Sequence, residues 1–408
     1  MIRLGIDFGT SNTAAALMAG DRPYLIPVEP GKTTLPTSVF FDPVREATLY
    51  GNVANRALIE GREGRFMRAL KSVLGTPLMH ERRVMGHERL TLIEVVARFL
   101  TTVRERAEAA TGQTITAALS GRPVRFHSTD DARNARALDD LAKAYGLAGF
   151  TDVSFLYEPE AAALTAQPLN PGTFGLIVDI GGGTSDFSVF ERAGNGVKII
   201  ASHGVRIGGT DFDRILSSAH VMPQLGRGHD LKNEMEPGTH LAPNALFNHL
   251  ATWEKIAFLY TPETLRTVKL FRKLAVDRKP FERLYDVIES ELGHDIAFAV
   301  ETGKIAANVA DARIDLSVVQ KGAGIPLTTV QMTDTLADAI AGIGDAANAT
   351  LSQAGIPADR IGTVVFVGGS SLMQPVQSSM RDIFPQARSE TAAAFTAVAE
   401  GLAIAAAT

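Results

Sequence analysis

The sequence has 408 residues, enough for two or three domains with a core each. Hydrophobic residues make up 45% and charged residues 21% of it, and the net charge is −5, so neither nucleic acid nor an anionic membrane is indicated as a partner. Because cysteine is absent, disulfides, thiolate metal sites and a cysteine nucleophile are excluded. The first residues enter a strand pattern without the apolar stretch of a signal peptide, and the alanine-rich residues 391–408 are interrupted by Glu400. We therefore expect a cytoplasmic protein without a membrane span.

Short apolar runs that end in glycine-rich or polar turns predict buried strands. In chain order these runs are Leu4–Phe8, Thr13–Met18, Ile115–Leu119, Val153–Tyr157, Leu176–Ile180, Phe187–Phe190 and Val364–Val367. The clearest helix is predicted over Leu92–Ala110, with a capping box of Thr91 and Glu94 at its start and Gly112 just past its end. Strands that alternate with helices predict an α/β protein.

An internal repeat is the most informative feature of the sequence. Residues 6–13 (IDFGTSNT) return in altered form at 178–186 (VDIGGGTSD), and each segment leads into a second apolar strand. One lobe is therefore interpreted as a diverged copy of the other, with the turn-rich residues 167–172 as the link. We expect lobe I to comprise residues 1–170 and 385–408, and lobe II to comprise residues 171–384.

Two insertions interrupt the repeat. Residues of about 28–90 have mixed strand and helix character, and residues of about 213–300 are largely helical. Neither has low-complexity sequence, so both are expected to be folded subdomains on the rims of a central cleft. Trp253, Phe258 and Tyr260 are interpreted as part of the core of the second one.

A strand that ends in an aspartate and turns through glycine into a second strand is suited to phosphate. Glycines let backbone N–H groups approach phosphate oxygens, and Asp7 or Asp179 at a strand end is placed to hold hydrated Mg²⁺, which prefers oxygen ligands. One such hairpin is equally an ordinary turn, but two in equivalent positions of a duplicated chain indicate a shared site. The pair Gly208-Gly209 is suited to begin a helix whose N-terminus binds an anion, and Gly368-Gly369 follows a buried strand and admits a flat base.

These motifs, in this order and spacing, give the chain a resemblance to a known family. It resembles the ATPase domain of the DnaK-type, seventy-kilodalton heat-shock chaperones, and looks most similar to their short bacterial relatives of the YegD type. The resemblance covers nearly the whole chain and is weakest over residues 213–300. The segments that carry it are residues 6–11, 33–39 (TTLPTSV), 70–75 (LKSVLG), 157–163 (YEPEAAA), 179–186, 208–213 and 367–370.

The resemblance implies a two-lobed actin-like ATPase fold, built from duplicated ribonuclease-H-like lobes, with the nucleotide in the central cleft. It implies that Asp7, Asp179 and Asp186 organise Mg²⁺, and K⁺ as well, largely through water. Carboxylates that converge without a cation would repel one another, which supports a metal. Lys71 is then the charge beside the γ-phosphate, and Glu158 orders or deprotonates the attacking water.

The remaining residues that the resemblance assigns to ATP or ADP fall into three groups. Those expected at the phosphates are Gly9, Thr10, Ser11, Asn12, Gly181, Gly182, Gly183, Thr184, Gly208 and Gly209. Those expected at the ribose and base on one helix are Glu301, Lys304, Ile305 and Asn308. Those expected at the base after the last buried strand are Gly368, Gly369, Ser370 and Leu372.

The chain departs from the family pattern in two ways. Ile305 and Leu372 stand where the family usually has arginines at the adenine, so a cation–π contribution of roughly 0.5–2 kcal/mol is lost and base selectivity is in question. The sequence also lacks the linker, the peptide-binding β-sandwich and the helical lid of the family's chaperones. We therefore expect neither a substrate-binding domain nor a lid, and fold alone does not assign foldase activity.

Three hypotheses about function follow. The first is slow Mg²⁺-dependent ATP hydrolysis by a stand-alone, chaperone-like ATPase whose lobe closure is read by a separate protein. The second is a sugar-type kinase of the same fold, although no acceptor-site aspartate is found beyond the residues already assigned to the metal. The third is a non-hydrolysing nucleotide sensor or an actin-like polymer subunit, against which the intact set of Asp7, Lys71, Glu158, Asp179 and Asp186 argues.

Overall fold

The computed structural model of the protein describes residues 2–127, 130–193, 196–234, 236–391 and 393–407. Residues 1 and 408, at which the predicted lobe I starts and ends, lie outside the described residues. The chain divides into two compact units: the first comprises Met1–Arg206 with Ile343–Thr408, and the second comprises Ile207–Gly342. Each unit is described below by itself.

The strands and helices are numbered in chain order. The strands are β1 (Arg3–Phe8), β2 (Asn12–Ala19), β3 (Arg22–Leu25), β4 (Thr34–Pro36), β5 (Ser38–Asp42), β6 (Ala47–Tyr50), β7 (Arg65–Arg68), β8 (Arg83–Met85), β9 (Glu88–Leu90), β10 (Ala117–Arg122), β11 (Asp152–Tyr157), β12 (Phe174–Ile180), β13 (Ser185–Ala193), β14 (Gly196–Val205), β15 (Asp230–Lys232), β16 (Thr239–Leu241), β17 (Ala312–Asp315), β18 (Gly324–Leu327), β19 (Ile361–Val367) and β20 (Arg388–Glu390). The helices are α1 (Asn52–Ile59), α2 (Leu92–Thr111), α3 (Asp131–Leu147), α4 (Glu158–Thr165), α5 (Gly209–Leu216), α6 (Asn244–Leu250), α7 (Trp253–Ile256), α8 (Pro262–Leu274), α9 (Arg278–Glu289), α10 (Gly293–Ala307), α11 (Thr329–Ala354), α12 (Gln374–Ile383) and α13 (Ala397–Ala407).

Two sheets of the first unit have the same topology. One has the order β3-β2-β1-β10-β11, and the other has the order β14-β13-β12-β19-β20. In each sheet the first three strands of the chain form an antiparallel meander, and the next two join in parallel after helical crossovers. The equivalence confirms the predicted α/β fold with duplicated lobes, because the repeat seen in the sequence returns strand by strand.

The predicted helix at residues 92–110 is confirmed as α2. Thr91 accepts a hydrogen bond from the backbone N–H of Glu94 at 3.2 Å, and the Glu94 carboxylate accepts one from the backbone N–H of Thr91 at 2.7 Å. Gly112 ends the helix in the left-handed conformation at φ 68°. The capping box and the glycine stop are therefore both present, and the apolar face of Val96, Phe99 and its neighbours is buried.

The strand predicted at Ile115–Leu119 is displaced along the chain. It forms as β10 over Ala117–Arg122, because its parallel pairing with β11 continues through Gly121 and Arg122. The strand predicted at Val364–Val367 likewise begins earlier, at Ile361, where it meets the start of β12. Apolar runs alone missed these ends because pairing with a neighbouring strand, and not hydrophobicity, sets them.

Helices α4 and α13 share one apolar core with both of these sheets. Buried alanines of α4 and Leu402 of α13 lie in a cluster with Leu119 of one sheet and Ile177 and Val365 of the other. The backbone of α13 also approaches β1 closely, since a methyl group on Gly5 would lie 2.7 Å from the Ala403 nitrogen. Small residues thus let α13, from the end of the second repeat, cover the first sheet.

The first insertion is a small subdomain of the first unit. Strands β6, β5 and β7 form an antiparallel sheet, and α1 packs on it through the buried Ala54 and Ala57 against Phe40. After β7 the chain makes a short 3-10 turn over Leu70–Val73 and a second over Pro77–Met79. The first of these turns contains Lys71, which is predicted from the sequence to lie at the γ-phosphate.

The second unit is mostly helical between α5 and α10. Trp253 packs edge-on against His294 and Phe298, with ring centroids 4.7 and 5.0 Å apart, as expected for a core residue. The interpretation of Phe258 as core is wrong, because its side chain is 77% exposed where the chain turns from α7 toward α8. In the described part of the chain, no helix combines the length and the apolar character needed to cross a membrane.

Candidate active site

The two glycine hairpins of the first unit have equivalent geometry. Asp7 lies opposite Ala14 across β1 and β2, and Asp179 lies opposite Asp186 across β12 and β13, at the same offset from each turn. Gly9 admits no side chain, since a methyl group there would lie 2.2 Å from the Asn12 carbonyl oxygen. The second turn is closed by the Gly181 N–H, which donates to the Thr184 carbonyl at 3.0 Å. Both turns therefore present backbone N–H groups beside a strand-end aspartate.

Glu158 is brought to Asp7 by the parallel part of the first sheet. Strands β1, β10 and β11 run in parallel, so their carboxyl ends meet at one edge, and Glu158 follows β11 there as the first residue of α4. A methyl group on Gly121 would lie 3.1 Å from the Glu158 Cγ, which shows how closely the side chain crosses the end of β10. Glu158 is 9% exposed.

Lys71 forms an ion pair with Glu158. The Lys71 Nζ donates to the Glu158 Oε1 at 2.5 Å, across 87 residues of sequence, and Lys71 is also only 9% exposed. The residue before its 3-10 turn, Ala69, adopts the left-handed conformation at φ 58°. For a residue with a Cβ this conformation is uncommon and costs energy, and it persists where surrounding structure requires it.

The acidic residues act on one another electrostatically, which places them in one group. Desolvation and the charge of Glu158 raise the pKa of Asp7 from 3.8 to about 7, against the opposing charge of Lys71. Desolvation and the charges of Glu158, Asp186 and Asp7 raise the pKa of Asp179 well above 3.8. Desolvation and Glu158 likewise raise the pKa of Asp186 to about 6, although a hydrogen bond from Thr184 and the charge of Lys71 oppose this.

Lys71 responds to the same charges in the opposite direction. Burial alone would lower its pKa, but the charge of Glu158, then that of Asp7, and the hydrogen bond to Glu158 outweigh burial, so the pKa is raised. Lys71 is therefore held as a cation among carboxylates. Raised pKa values of several neighbouring groups, arising from burial and specific charge partners, are typical of functional sites.

The group has more negative than positive charge. Asp7, Glu158, Asp179 and Asp186 act on Lys71 or on one another, and Lys71 is the cation among them. Burial first, and the neighbouring negative charge second, raise the pKa values of Asp7, Asp179 and Asp186. Among the described residues, no three carboxylate or imidazole side chains converge closely enough to ligate a metal ion directly. The set fits hydrated Mg²⁺, which commonly keeps several waters between itself and protein carboxylates and would supply the missing positive charge.

The Lys71 turn is fixed to α3 by a residue that the sequence did not single out. The Asp140 carboxylate accepts a hydrogen bond from the backbone N–H of Gly75 at 2.9 Å and lies 3.1 Å from the Nε2 of His80. Asp140 is 4% exposed. His127 adds a contact between its Nε2 and the Leu74 carbonyl at 2.7 Å. The segment that follows Lys71 is thus held on both sides, and no local pattern in the sequence signals it.

The second unit contains Gly208 and Gly209, predicted at the phosphates, and the residues predicted at the ribose and base on one helix. Gly208 and Gly209 begin α5, and the Asp211 carboxylate accepts the Gly208 N–H at 3.1 Å, so the predicted helix start is present. The Lys304 Nζ lies 2.8 Å from the Asp213 Oδ1, while Ile305 one residue later is 61% exposed. The other predicted residues of this helix are Glu301, on a half-buried position of α10, and Asn308, at its C-terminal cap.

The turn after β19 lies beside the second hairpin. Register places Val367 opposite Asp179, and Gly368 follows it with φ 77°. A methyl group on Gly368 would lie 2.4 Å from the Ile180 carbonyl oxygen and 3.1 Å from the Asp179 Oδ1. Only glycine fits such an approach, and this turn contains the remaining predicted base-binding residues, Gly369, Ser370 and Leu372.

The duplicated sheets with their paired hairpins define an α/β protein of the actin-like, two-lobed ATPase class. A model of the Hsp70 protein family matches residues 79–246 and 299–408, about two thirds of the chain. The chain belongs to this family, whose members are ATPases that generally use ATP or ADP with Mg²⁺ and usually work with partner proteins.

The matched segments do not cover every site residue. They include Glu158, Asp179, Asp186 and the Gly368 turn. Asp7 and Lys71 lie outside them, in residues 1–78. The assignment of Asp7 rests on the repeat, that of Lys71 on the resemblance of residues 70–75 to the family, and the geometry described above supports both. Residues 247–298, from the end of α6 to α10, also lie outside. They form the larger part of residues 213–300, where the resemblance is expected to be weakest, whereas residues 213–246 are matched.

Proposed function

We propose that the protein binds ATP with Mg²⁺ and hydrolyses it slowly to ADP and phosphate. The observation that carries the proposal is the group formed by Lys71, Glu158, Asp7, Asp179 and Asp186, in which the charges of two equivalent hairpins, a buried lysine and a buried glutamate act on one another. Phosphoryl transfer needs positioning and charge stabilisation more than covalent chemistry, and this group is suited to both.

We propose a role for each residue that its placement supports. Backbone N–H groups of the two turns bind the phosphate oxygens, together with the hydroxyls of Thr10, Ser11 and Thr184. Lys71 stabilises negative charge at the γ-phosphate and orients the attacking water. Glu158, held next to it, accepts a hydrogen bond from that water and takes its proton as the water oxygen bonds to phosphorus and the bond to the β-phosphate oxygen breaks.

Asp7, Asp179 and Asp186 would hold Mg²⁺ through water, with K⁺ as a further cation in the same group. When bound, Mg²⁺ neutralises phosphate charge and orients the triphosphate. Negative charge on neighbouring carboxylates contributes to the raised pKa values of all three, and a bound cation would offset that repulsion and favour their ionised forms.

A thermal unfolding experiment tests the binding step. At about 100 times its dissociation constant, ATP with Mg²⁺ should add about 2.7 kcal/mol to the free energy of unfolding and raise the melting temperature. Phosphate release without any added acceptor then distinguishes an ATPase from a sugar-type kinase. An unchanged melting curve with saturating ATP and Mg²⁺ contradicts the proposal.

Lys71→Met tests the mechanism while keeping the aliphatic length of the side chain. Turnover should fall about 100-fold, the size of effect seen when one preorganised charge-stabilising group is removed, and ATP should still bind. Lys143→Met is a matched control, since Lys143 is exposed on α3. Equal turnover of the Lys71 variant and the unaltered protein would remove Lys71 from the mechanism.

We also propose that the nucleotide state is read by a separate protein in the cytoplasm, through lobe closure, in a chaperone-like or regulatory role. The family's use of partner proteins supports this. Within the family, the motifs favour the short bacterial relatives of the YegD type. Affinity capture with the protein held in ATP and then in ADP should recover a partner in one state only, and the same partners in both states would argue against the proposal.

A further inference from the structure

One phenylalanine ring lies exposed beside the turn that follows β19. Phe395 is 51% exposed, whereas most phenylalanines of the described residues are buried in the cores. It precedes α13 in the turn formed by residues 393–396. A single exposed aromatic side chain is common on protein surfaces and has no meaning by itself. What distinguishes Phe395 is the backbone that it covers.

The ring packs directly on Gly369. A methyl group on Gly369 would lie 2.7 Å from one ring carbon of Phe395 and 3.1 Å from another, so the ring lies directly on the glycine and would have to shift for any side chain at this position. The two segments are also joined by a hydrogen bond, in which the Gly368 N–H donates to the Ala394 carbonyl at 2.7 Å. The ring therefore lies against Gly369, next to a backbone hydrogen bond that joins the two segments.

The same glycine pair contacts the hairpin of β12 and β13, the second of the two glycine hairpins. Gly368 approaches the Ile180 carbonyl and the Asp179 carboxylate, and the next residue, Gly369, touches the Phe395 ring. Two successive residues thus connect a strand-end carboxylate of the active site to an exposed aromatic face. In the described part of the chain, the ring has no stacking contact with another aromatic side chain.

We infer that Phe395 is a stacking surface for the base of the bound nucleotide; this inference rests on the proposed function and extends it to base recognition. Aromatic rings stack on bases because every base has a π-face. Such a contact contributes to affinity and does not depend on the hydrogen-bonding groups at the edge of the base. Leu372, three residues after Gly369, offers no guanidinium for a cation–π contact, and Phe395 supplies a ring in the same turn region.

This arrangement has a consequence for selectivity. Stacking on a phenyl ring tolerates any base, whereas discrimination requires hydrogen bonds to the edge of the base. The Phe395 contribution to affinity should therefore be nearly the same for ATP and GTP. Removal of the ring should weaken both nucleotides by similar factors.

The test compares ligands with and without a base. Calorimetric dissociation constants are measured for Mg²⁺ with ATP, GTP and inorganic tripolyphosphate, on the unaltered protein and on Phe395→Ala. ATP and GTP should bind about tenfold more weakly to the variant, and tripolyphosphate should bind equally to both proteins. Phe395→Tyr should restore nucleotide affinity, and Phe395→Leu, which keeps apolar volume without a ring, should not.

Phe258→Ala is the matched control, because Phe258 is an exposed phenylalanine at 77% and has no part in the site. It should leave all three dissociation constants unchanged. A fluorescent version adds a direct readout: the emission of Phe395→Trp, above the background of Trp253, should be quenched by ATP and not by tripolyphosphate. Quenching by ATP, together with no quenching by tripolyphosphate, supports stacking of the base on residue 395.

Two outcomes overturn the inference alone. One is ATP affinity that is the same in Phe395→Ala and the unaltered protein. The other is an equal loss of affinity for ATP and tripolyphosphate, which would mean that the ring supports the turn and does not touch the base. Failure of the unaltered protein to bind ATP at all would overturn the proposed function together with this inference, and the experiment separates the two cases.

Discussion

The pKa of Asp7 shows how burial and neighbouring charges act on a single residue of the candidate site. Its carboxylate is desolvated at the end of β1 beside Glu158, and its pKa rises to about 7 even though Lys71 opposes the shift. Such a group favours its neutral form in the folded protein. In the unfolded chain it ionises near 3.8, so folding takes up a proton over the range between these values.

The linkage predicts how stability depends on pH in the absence of ligands. Between pH 4 and about 7 the unfolded chain releases the Asp7 proton while the folded protein retains it, so this residue's contribution to stability falls as pH rises. Asp7→Asn removes that contribution. The variant should be about 1 kcal/mol more stable than the unaltered protein at pH 8, with a smaller difference at pH 5, as measured by urea unfolding.

Asp21→Asn, on the exposed turn between β2 and β3, is the control and should follow the unaltered protein at both pH values. The decrease of stability with rising pH should be smaller in Asp7→Asn but should not vanish, because Asp179 and Asp186 keep their raised pKa values. A variant less stable than the unaltered protein at pH 8 would show that the Asp7 charge is already compensated.

Local patterns and distant contacts differ in how well the sequence reveals them. Asp7 and Asp179 can be recognised in the sequence, because each lies in a short repeated hairpin whose tight turn requires glycine. Lys71 and Glu158 pair across 87 residues, and neither has a local signal, so only the family resemblance identified them. Asp140 and Phe395 were missed altogether, since a buried aspartate in a helix and a phenylalanine in a turn look ordinary until the chain is folded.

At the scale of elements, α3 holds the segment that carries Lys71. Gly75 adopts φ 76° and lies so close to α3 that a methyl group there would be 2.4 Å from the Arg133 carbonyl. Asp140 accepts the Gly75 N–H from the same helix. In the proposed mechanism Lys71 needs such support, because small displacements of a charged group reduce its effect on a reaction.

Asp140→Ala tests this support. Loss of the acceptor leaves the buried Gly75 N–H unsatisfied, which should cost about 1–3 kcal/mol of stability, and turnover should fall about tenfold with ATP affinity little changed. Asp140→Asn, which retains an oxygen acceptor, should recover much of the turnover. The split between turnover and affinity is the informative measurement, since a purely structural defect does not produce it.

Asp139→Ala provides a control in the neighbouring, exposed position of the same helix. It should match the unaltered protein in stability and turnover. If Asp140→Ala retains full turnover, α3 does not position Lys71, and the contact serves the fold alone.

At the scale of the molecule, two helices connect the sheets of the first unit, because each packs against the sheet of the other repeat. Helix α4 follows the first sheet and contacts β12 and β14 of the second, while α13 follows the second sheet and contacts β1 and β2 of the first. The meeting of α4 and α13 is tight, because a methyl group on Gly401 would lie 1.8 Å from the Ala161 carbonyl oxygen.

Gly401→Ala should therefore destabilise the protein by about 2 kcal/mol, as overpacking of a close helix contact does. Gly146→Ala is the counterpart: it lies in α3, where an added methyl group meets nothing within 4 Å, and should stabilise by about 0.5–1 kcal/mol. Thermal unfolding of both variants measures the contrast. Equal effects of the two substitutions would show that α13 can move away from α4 without cost.

The contact of α13 with β1 also bears on how the chain folds during its synthesis. Gly5, Ala14 and Ala16 form a face of small residues that Ala399 and Ala403 cover. Translation makes β1 well before α13, so on the ribosome that face stays open to water until α13 is made. The nascent first sheet is accordingly open on this face to proteases and to premature association until α13, which follows the second repeat, covers it.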